Sequence, residues 1–428
     1  MNLIQLVIMI GIISVASIVG YIVINSTLFG YAIDESLKKS ALIKDKVESL
    51  QKSMTNANIN DDKGVNIDTM FQFKRAPEFQ KIEDNINTKS NMPVTIASLK
   101  GDVVLVNFWT YSCINVLRTL PHLEDWDTKY ADSGLVIVGI HTPEFEFEKN
   151  TENVKSALQR YGIKYPVLQD NVYGTWNAYE NSYWPRMYLV DAQGYIRYDK
   201  IGESDYDRTE KVIQFLLNER NANKSIKNIN HNNNTYPYFD NSKVIQNATN
   251  NTVANFLRQP VDFSKIQTPE LYFGNQSSRS AIGNPEGFHL GQTIDYFLPS
   301  SYTSSSMSNS STKPNTIYLE GKWKNNPDNV ELQSNTGHIL LDYSAKSVNI
   351  VVGVNSSDKN ESQVTVYENN SLISNKSKGI DIGINSKFIA NEPRLYNIVN
   401  HGSYSDDSHI LLIEIHGKGL QAYVFTFG

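Results

Sequence analysis

The sequence predicts an α/β domain followed by an all-β domain, with one transmembrane helix in front of them. Three observations support this fold class. An apolar, uncharged stretch from Leu3 to Ile24 has about the 20 residues that span a bilayer. From about Ala76 to Glu219, buried-strand and helical patterns alternate, which is typical of a sheet with helices on its faces. Beyond Thr268, short alternating strands are typical of an all-β sandwich.

The chain has 428 residues, more than a single hydrophobic core usually supports, so two or more packed domains are expected. The predicted segments are a transmembrane anchor at 1–30, a stalk and linker at 31–69, an α/β domain at 70–220, an Asn-rich flexible linker at 221–266 and a β-sandwich at 267–428. The net charge is −6, and no block of Lys or Arg is present. We therefore expect no nucleic-acid partner.

The N-terminal apolar segment is predicted to be an uncleaved anchor. It lacks the basic start, the shorter apolar stretch and the small-residue cleavage site of a signal peptide. Lysines follow the segment and none precedes it, which by the positive-inside rule would keep the bulk of the chain cytoplasmic. However, large downstream domains can translocate regardless of loop charge, and Asn-x-Ser/Thr acceptor sequences recur after residue 222. We therefore expect a single-pass cell-membrane protein whose bulk is extracytoplasmic.

Two runs of β-branched and aliphatic residues, Val103–Phe108 and Leu135–Ile140, predict buried strands joined by one helix. Further along, Met187–Val190 and Tyr195–Ile201 flank Asp191-Ala192-Gln193-Gly194. This tetrapeptide has the Asp and Gly composition of a hairpin turn, so the two flanking runs are predicted to pair.

The segment 221–266 is predicted to be flexible because Asn dominates it and few apolar residues offset the entropy of ordering it. Beyond it, apolar and polar residues alternate in several short stretches, which are predicted to be strands. They are Thr316–Leu319, His338–Tyr343, Val348–Val354, Gln363–Tyr367, His409–Ile415 and Ala422–Phe427.

Cys113 is the only cysteine of the chain and the only residue equipped for redox chemistry. It follows the first predicted strand, and the leucines at 117, 120 and 123 predict a helix that begins beside it. The free N–H groups and the positive dipole at a helix start favour a thiolate, which is the form that attacks disulfides. A buried cysteine is also often an inert small hydrophobe, and the residues alone leave both interpretations open.

The segment Phe108-Trp109-Thr110-Tyr111-Ser112-Cys113-Ile114-Asn115, followed by Arg118-Thr119-Leu120-Pro121, resembles the thioredoxin-like domain of the DipZ family, within the wider TlpA-like thioredoxins. Further similarities are Ala76-Pro77-Glu78-Phe79, His141-Thr142-Pro143-Glu144-Phe145, Thr175-Trp176-Asn177-Ala178-Tyr179 and Tyr183-Trp184-Pro185. The C-terminal region is similar to the carbohydrate-binding-module-like sandwich of that family at Thr268–Tyr272, Glu392–Tyr396 and Ala422–Gly428. The resemblance implies a thioredoxin-like fold and a jelly-roll-like sandwich.

The family carries Cys-x-x-Cys where this chain has Cys113-Ile114-Asn115-Val116. In a dithiol enzyme the second cysteine resolves the mixed disulfide, so Val116 is a degenerate resolving position and a monothiol cycle remains. One apolar segment stands in place of the family's multi-helix membrane domain, so electrons are expected from a separate partner. The resemblance further implies that Trp109, Trp184 and Pro185 position the substrate, with Trp184-Pro185 at the cis-proline of the fold.

His141 and Glu144 follow the second predicted strand and are candidates for tuning Cys113, although polar residues at strand ends usually serve the loop. The histidines and acidic residues show no metal-ligand spacing, so we predict no metal, cofactor or nucleotide. Large aromatic residues of the C-terminal region either stack on sugar rings or fill the core. They are Trp323, Tyr343 and Tyr396.

The leading functional hypothesis is a membrane-anchored, extracytoplasmic protein that exchanges disulfides with protein clients through Cys113 alone. The alternative is a catalytically inactive thioredoxin-fold scaffold that binds a glycan or a protein. A one-cysteine peroxidase is disfavoured, since only Thr110 matches the Pro-x-x-x-Thr-x-x-Cys pattern of that class.

Overall fold

The structure is a computed structural model. It describes residues 73–88, 93–227, 251–274, 282–299, 302–303, 306–307, 312–354, 361–405 and 407–428. The predicted anchor at 1–30 and the predicted stalk and linker at 31–69 lie outside the described residues. Within the described ranges, no helix is both long enough and apolar enough to cross a membrane. Residues from Phe73 to Gly428 form one compact unit.

The first fold of this unit is a six-stranded mixed sheet. Its strands are β1 (Asp84–Ile86), β2 (Val103–Trp109), β3 (Leu135–His141), β4 (Val167–Gln169), β5 (Arg186–Val190) and β6 (Ile196–Ile201). Their order across the sheet is β1-β4-β3-β2-β5-β6, in which β2, β3 and β4 run parallel and the other neighbours are antiparallel. This topology is thioredoxin-like and confirms the predicted α/β class.

Helices connect the strands and cover the sheet. They are α1 (Ile114–Leu117), α2 (Leu120–Tyr130), α3 (Thr151–Tyr161), α4 (Gly174–Ala178), α5 (Tyr206–Lys227) and α6 (Asn251–Leu257). The helix predicted after Cys113 is two segments, because α1 ends at Leu117 and α2 starts at Leu120. Pro121 lies in the first turn of α2, where the missing N–H of proline costs no intrahelical bond.

Every residue of β2 and β3 is buried, as the continuous apolar runs predict for central parallel strands. Successive side chains point to opposite faces, so Val103 and Leu105 join one apolar cluster while Val104 and Val106 join another. The predicted hairpin is also confirmed: Asp191 Oδ1 accepts hydrogen bonds of 3.0 Å from the N–H groups of Gln193 and Tyr195 in the β5–β6 turn.

The prediction of a flexible linker at 221–266 is wrong for part of that segment. Helix α5 continues to Lys227, and α6 occupies Asn251–Leu257. Phe256 and Leu257 are buried in the core of the thioredoxin-like fold, and Arg258 forms a 2.9 Å ion pair with Asp125. Tertiary burial of a few apolar side chains therefore outweighs the Asn-rich composition here. Residues 228–250 lie outside the described residues.

The second fold is a twelve-stranded antiparallel sheet. Its strands are β7 (Leu271–Tyr272), β8 (Thr293–Tyr296), β11 (Ile317–Asn325), β12 (Val330–Leu332), β13 (Thr336–Tyr343), β14 (Ser347–Val354), β15 (Ser362–Glu368), β16 (Ser371–Leu372), β17 (Lys387–Ala390), β18 (Arg394–Asn400), β19 (His409–His416) and β20 (Leu420–Phe427). A separate hairpin consists of β9 (Tyr302–Thr303) and β10 (Ser306–Met307). Each of the six stretches predicted as strands overlaps an observed strand.

A jelly-roll-like sandwich implies two separate sheets, and the structure corrects this point. Strand β11 pairs with β13 through Ile317–Glu320 and with β8 and β12 through its second half, so one continuous sheet curls round. The change of partner occurs at Gly321, whose φ of +98° is a conformation that favours glycine. Side chains of β14 and β20 meet those of β13, β15 and β19 in one apolar core.

The two folds share an apolar cluster. Tyr423 of β20 packs against Phe147 with ring centroids 4.7 Å apart and against Phe145 at 5.1 Å. Arg160 of α3 also forms an ion pair with Glu392, which precedes β18. The curled sheet therefore packs on the segment that follows β3. Cys113 packs against the same apolar cluster.

Candidate active site

Cys113 lies at the point where the central strand of the thioredoxin-like sheet gives way to a helix. Strand β2 ends at Trp109, and Cys113 is the N-cap of α1 with extended backbone angles of φ −86° and ψ 118°. The residue is partly buried and packs against the apolar cluster that both folds share. The predicted strand-to-helix position of Cys113 is thus confirmed.

Glu148 accepts hydrogen bonds from the loop that precedes Cys113 and from the segment after β3. Its Oε1 accepts hydrogen bonds from the hydroxyl of Thr110 and from the hydroxyl and N–H of Ser112, at 2.6 and 3.3 Å for Ser112. Its Oε2 accepts from the N–H groups of Glu144 and Phe145 at 2.6 and 3.0 Å. This fully buried carboxylate therefore ties the loop before Cys113 to the segment after β3.

The surroundings of Cys113 oppose ionisation of its thiol. Burial raises the pKa of Cys113 well above its ordinary value, and the carboxylates of Glu144 and Glu270 raise the pKa further. The backbone N–H groups of Val116 and Asn115 at the start of α1 lower it and are outweighed. The predicted preference for a thiolate at the helix start is therefore not met in this conformation, because burial of the thiol, together with the charges of Glu144 and Glu270, outweighs the N–H groups at the start of α1.

The two carboxylates come from different folds. Glu144 follows β3, whereas Glu270 precedes β7 of the curled sheet. The Tyr272 hydroxyl donates a 2.8 Å hydrogen bond to Glu144 Oε1. Burial, together with the charge of Glu148, raises the pKa of Glu144 to about 8. The charge of Glu144 thus raises the pKa of Cys113, and the curled sheet contributes Glu270 to the same effect.

His141 does not act on the pKa of Cys113 in this way. It is fully buried at the end of β3, with its ring 5.2 Å from that of Trp109 and stacked at 5.6 Å on Tyr111. Neither imidazole nitrogen has a hydrogen-bond partner among the described residues. Burial lowers the pKa of His141 to about 3, so the ring is neutral at pH 7 and serves as a packing group.

Trp109 and Val116 are also fully buried. A Cβ added to Gly139 would lie 2.9 Å from Trp109 Nε1, so glycine makes room for this indole in the core. Trp109 is thus placed to pack beneath the site rather than to contact a substrate directly. The methyl groups of Val116 fill the degenerate resolving position.

The peptide bond between Trp184 and Pro185 is cis, as the resemblance implies. Trp184 Nε1 donates a 3.1 Å hydrogen bond to the carbonyl of Thr142, and Thr142 N–H donates to the carbonyl of Trp109 at 3.0 Å. Trp184 and Cys113 pack against the same apolar cluster. The structure therefore joins the cis-proline loop to the end of the strand that carries the cysteine.

A cleft of about 380 Å³ opens beside Glu144 between the two folds. Pro143, Glu144 and Tyr173 line it from the thioredoxin-like fold, while Pro327 and Asp328 line it from the turn between β11 and β12. Glu144, which lines this cleft, is one of the residues that raise the pKa of Cys113. By contrast, the aromatic residues considered for sugar stacking are core residues, each at most 1% exposed. They are Trp323, Tyr343 and Tyr396.

Sequence reasoning missed Glu148, Glu270 and Tyr272 as parts of this site. Glu148 has a weak local signal, since it lies four residues after Glu144 in an acidic and aromatic stretch. Glu270 and Tyr272 belong to the quoted Thr268–Tyr272 motif of the C-terminal region, but nothing in the sequence places that motif next to residue 113.

A protein-family profile described as "Thioredoxin like C-terminal domain" matches residues 268–428, and the profile of the AhpC/TSA family matches residues 73–199. Protein DipZ of Mycobacterium tuberculosis is 36% identical over 281 residues, which cover 65% of this chain and 35% of DipZ. The match therefore spans about a third of the length of that relative. Thiol-disulfide oxidoreductase YkuV of Bacillus subtilis is 29% identical over 130 residues, covering 30% of this chain and 87% of YkuV.

A solved structure, the solution structure of a thioredoxin-like protein in the oxidized form, is 27% identical with a TM-score of 0.32, covering 34% of this chain and 97% of that chain. The sequence similarities, the order of the six strands and the position of Cys113 agree with one another. The chain is therefore similar to DipZ over 65% of its length and to a thiol-disulfide oxidoreductase over 30% of its length, and it has a thioredoxin-like fold around Cys113.

Proposed function

We propose that this chain exchanges disulfides with protein clients through Cys113 alone, while an N-terminal helix anchors it to a membrane with its bulk outside the cytoplasm. One observation carries the proposal. The single thiol of the chain is the N-cap residue that follows the central strand of a thioredoxin-like sheet, and buried Val116 stands where a second thiol would resolve the product.

The proposed cycle has two exchange steps. The Cys113 thiolate attacks one sulfur of a client disulfide, a bond forms between them, and the other client sulfur leaves as a thiolate that takes up a proton. A second thiol, from a protein or a low-molecular-weight thiol, then attacks the mixed disulfide and releases Cys113. Because Val116 cannot perform this second attack, the mixed disulfide is long-lived.

The resting thiol is protonated, since burial and the carboxylates of Glu144 and Glu270 raise the pKa of Cys113. A client that enters beside Glu144 would displace the Tyr272 hydrogen bond, and the proton of the Cys113 thiol would end on the leaving client sulfur. Attack is thereby limited to clients that contact both folds. The family relationship supports protein thiols as clients, and the buried aromatic residues of the curled sheet offer no support for a glycan.

A peptide disulfide tests the exchange step. Since Cys113 is the only cysteine, every mixed disulfide contains it, and Cys113→Ser must form none. Pro185→Ala should slow exchange with the peptide disulfide and leave exchange with a small-molecule disulfide unchanged, because the family resemblance implies that the Trp184-Pro185 loop positions an extended client. Equal effects on both disulfides, or a folded chain that reacts no faster than the denatured chain, would refute client exchange.

Protease digestion of intact cells tests the anchored, extracytoplasmic placement. The expected result is removal of the C-terminal region from the outside. The proposal rests on the apolar segment from Leu3 to Ile24, and a C-terminal region that stays intact until the cells are lysed would contradict it.

The second candidate function is an inactive scaffold that binds a protein in the cleft between the two folds. The raised pKa of the Cys113 thiol favours it, because a protonated thiol is a poor nucleophile. Alkylation of the folded chain between about pH 6 and 9 separates the two functions. Negligible alkylation across this range, together with no peptide adduct, would leave the scaffold as the function.

A further inference from the structure

Four strand ends of the curled sheet bring together three side chains that could bind a metal ion. Glu368 is the last residue of β15, His409 is the first residue of β19, and His401 directly follows β18. Tyr343 ends β13 beside them. Together, the three residues Glu368, His401 and His409 are called the histidine cluster below.

The atoms of the histidine cluster converge. One potential ligand atom from each residue lies within 4.8 Å of the others. His401 Nε2 is 3.1 Å from Glu368 Oε1, and the two histidine rings stack with centroids 4.5 Å apart. The Tyr343 hydroxyl lies 2.5 Å from Glu368 Oε1 and 3.1 Å from His401 Nε2.

The cluster is shielded from solvent. The side chains of His401 and Glu368 are 16% and 10% exposed.

We propose that Glu368, His401 and His409 bind one Zn²⁺ ion in the curled sheet. Two imidazoles and one carboxylate are an established donor set for zinc, and a fourth position remains for water or for the Tyr343 hydroxyl. Ligand atoms about 2.0 Å from a tetrahedral zinc ion lie roughly 3.3 Å apart, close to the 3.1 Å between His401 Nε2 and Glu368 Oε1.

Outer contacts already orient the ligands. The Asn369 side-chain amide lies 3.3 Å from His409 Nδ1, and the same side chain accepts a 2.9 Å hydrogen bond from Ile410 N–H. Because Asn369 Oδ1 accepts from Ile410, the Asn369 NH2 group donates to His409 Nδ1, and this contact orients the ring. The bound ion would cross-link the ends of β15, β18 and β19, so zinc binding stabilises this part of the sheet.

Metal titration of the full chain tests the proposal. After treatment with a chelator, the chain is titrated with Zn²⁺ alone, and one equivalent should bind and raise the melting temperature. Glu368→Gln and His401→Gln should each weaken binding by at least about 100-fold. His416→Gln is the matched control, because the His416 ring has only the Glu414 carboxylate at 2.6 Å as its described ion-pair partner.

Cys113→Ser gives a second control, since a thiolate is also a zinc ligand. The proposal requires the same stoichiometry and affinity in this variant. If His401→Gln does not fold, the Co²⁺ spectrum of the unaltered chain still decides, because nitrogen and oxygen ligands give no thiolate charge-transfer band. Absence of a bound equivalent, loss of binding in Cys113→Ser, or equal weakening in His416→Gln would overturn the proposal.

Discussion

The Cys113 site and the histidine cluster contain similar groups, but the pKa of Cys113 is raised and the pKa of Glu368 is lowered. In each, a tyrosine hydroxyl contacts a partly buried glutamate: Tyr272 contacts Glu144 beside Cys113, and Tyr343 contacts Glu368. Beside Cys113 the group that ionises becomes negative, so the carboxylates raise its pKa. In the cluster the neighbours are imidazoles, and His401 lowers the pKa of Glu368.

The comparison shows that the charge of the neighbouring titratable group decides whether a partly buried carboxylate raises the pKa of its neighbour or has its own pKa lowered. A carboxylate next to a thiol keeps a nucleophile protonated, whereas a carboxylate next to imidazoles is held ionised and offers a ligand to a cation. His141 is the limiting case. No described carboxylate acts on this buried ring, and its pKa falls to about 3.

Supplying a second thiol should have the largest effect on the Cys113 region. Val116 lies three residues after Cys113 across the first turn of α1, where Cα atoms are roughly 5 Å apart, within the range of a disulfide. Val116→Cys should therefore form an intramolecular disulfide and reduce insulin with dithiothreitol at least about 100-fold faster than the unaltered chain. The measurement is the turnover rate together with a thiol titration of the oxidised protein.

Val116→Ala is the control, since it also shortens the buried side chain but adds no thiol. Equal insulin-reduction rates in Val116→Cys and Val116→Ala, or two free thiols after oxidation of Val116→Cys, would show that the site geometry does not support a dithiol cycle.

The buried histidine should dominate acid sensitivity. In the unfolded chain the pKa of His141 is about 6.5, whereas burial lowers it to about 3 in the folded chain. Between these values the unfolded state binds more protons, so stability is present above pH 6.5 and is lost as the pH falls toward 3. At pH 5 the loss from this group is about 2 kcal/mol, which is roughly a 30-fold change in the folding equilibrium.

His141→Leu should remove this loss. Denaturant unfolding at pH 7 and pH 5 gives the difference for each chain, and contributions from other groups cancel because both chains share them. The same decrease in unfolding free energy in both chains would show that His141 gains a proton without penalty, and the contrast with the histidine cluster would then fail.

Sequence predicted the parts of the fold that local patterns specify. The strands β2 and β3, the turn at Asp191–Gly194 and the strand-to-helix position of Cys113 follow from contiguous residues. Helix α6 did not follow, because its order depends on Phe256 and Leu257 meeting a core formed about a hundred residues earlier. Composition alone carries no information on that contact.

The electrostatics of both sites were also beyond local patterns. The thiolate was predicted from the helix start alone, and Glu270, which opposes it, is more than 150 residues away in the chain. The histidine cluster has no spacing motif in the sequence. Its three residues lie at the ends of three different strands and come together only in the folded sheet. To predict such a site, the pairing and register of distant strands must be known, and local sequence patterns do not specify them.

Neutralising the carboxylate of Glu144 should have the smallest effect of the changes predicted for the Cys113 site. Glu144→Gln removes a negative charge that raises the pKa of Cys113, so the thiolate fraction and the alkylation rate should increase. Because the pKa of Glu144 is about 8, the side chain is mostly protonated below that pH, and the two chains should react alike at pH 6. At pH 9 the carboxylate is charged, and the variant should react about tenfold faster.

Glu146→Gln is the matched control, since Glu146 lies two residues away with its side chain 77% exposed and paired with Lys149. Its alkylation profile should follow that of the unaltered chain, because solvent screens an exposed charge. A faster reaction of Glu144→Gln at pH 9 and equal rates at pH 6 can arise only if the carboxylate itself, and not a change in packing, sets the thiol's acidity. A uniform increase at both pH values would instead indicate that the substitution opens the site, and charge would then no longer distinguish Cys113 from the histidine cluster.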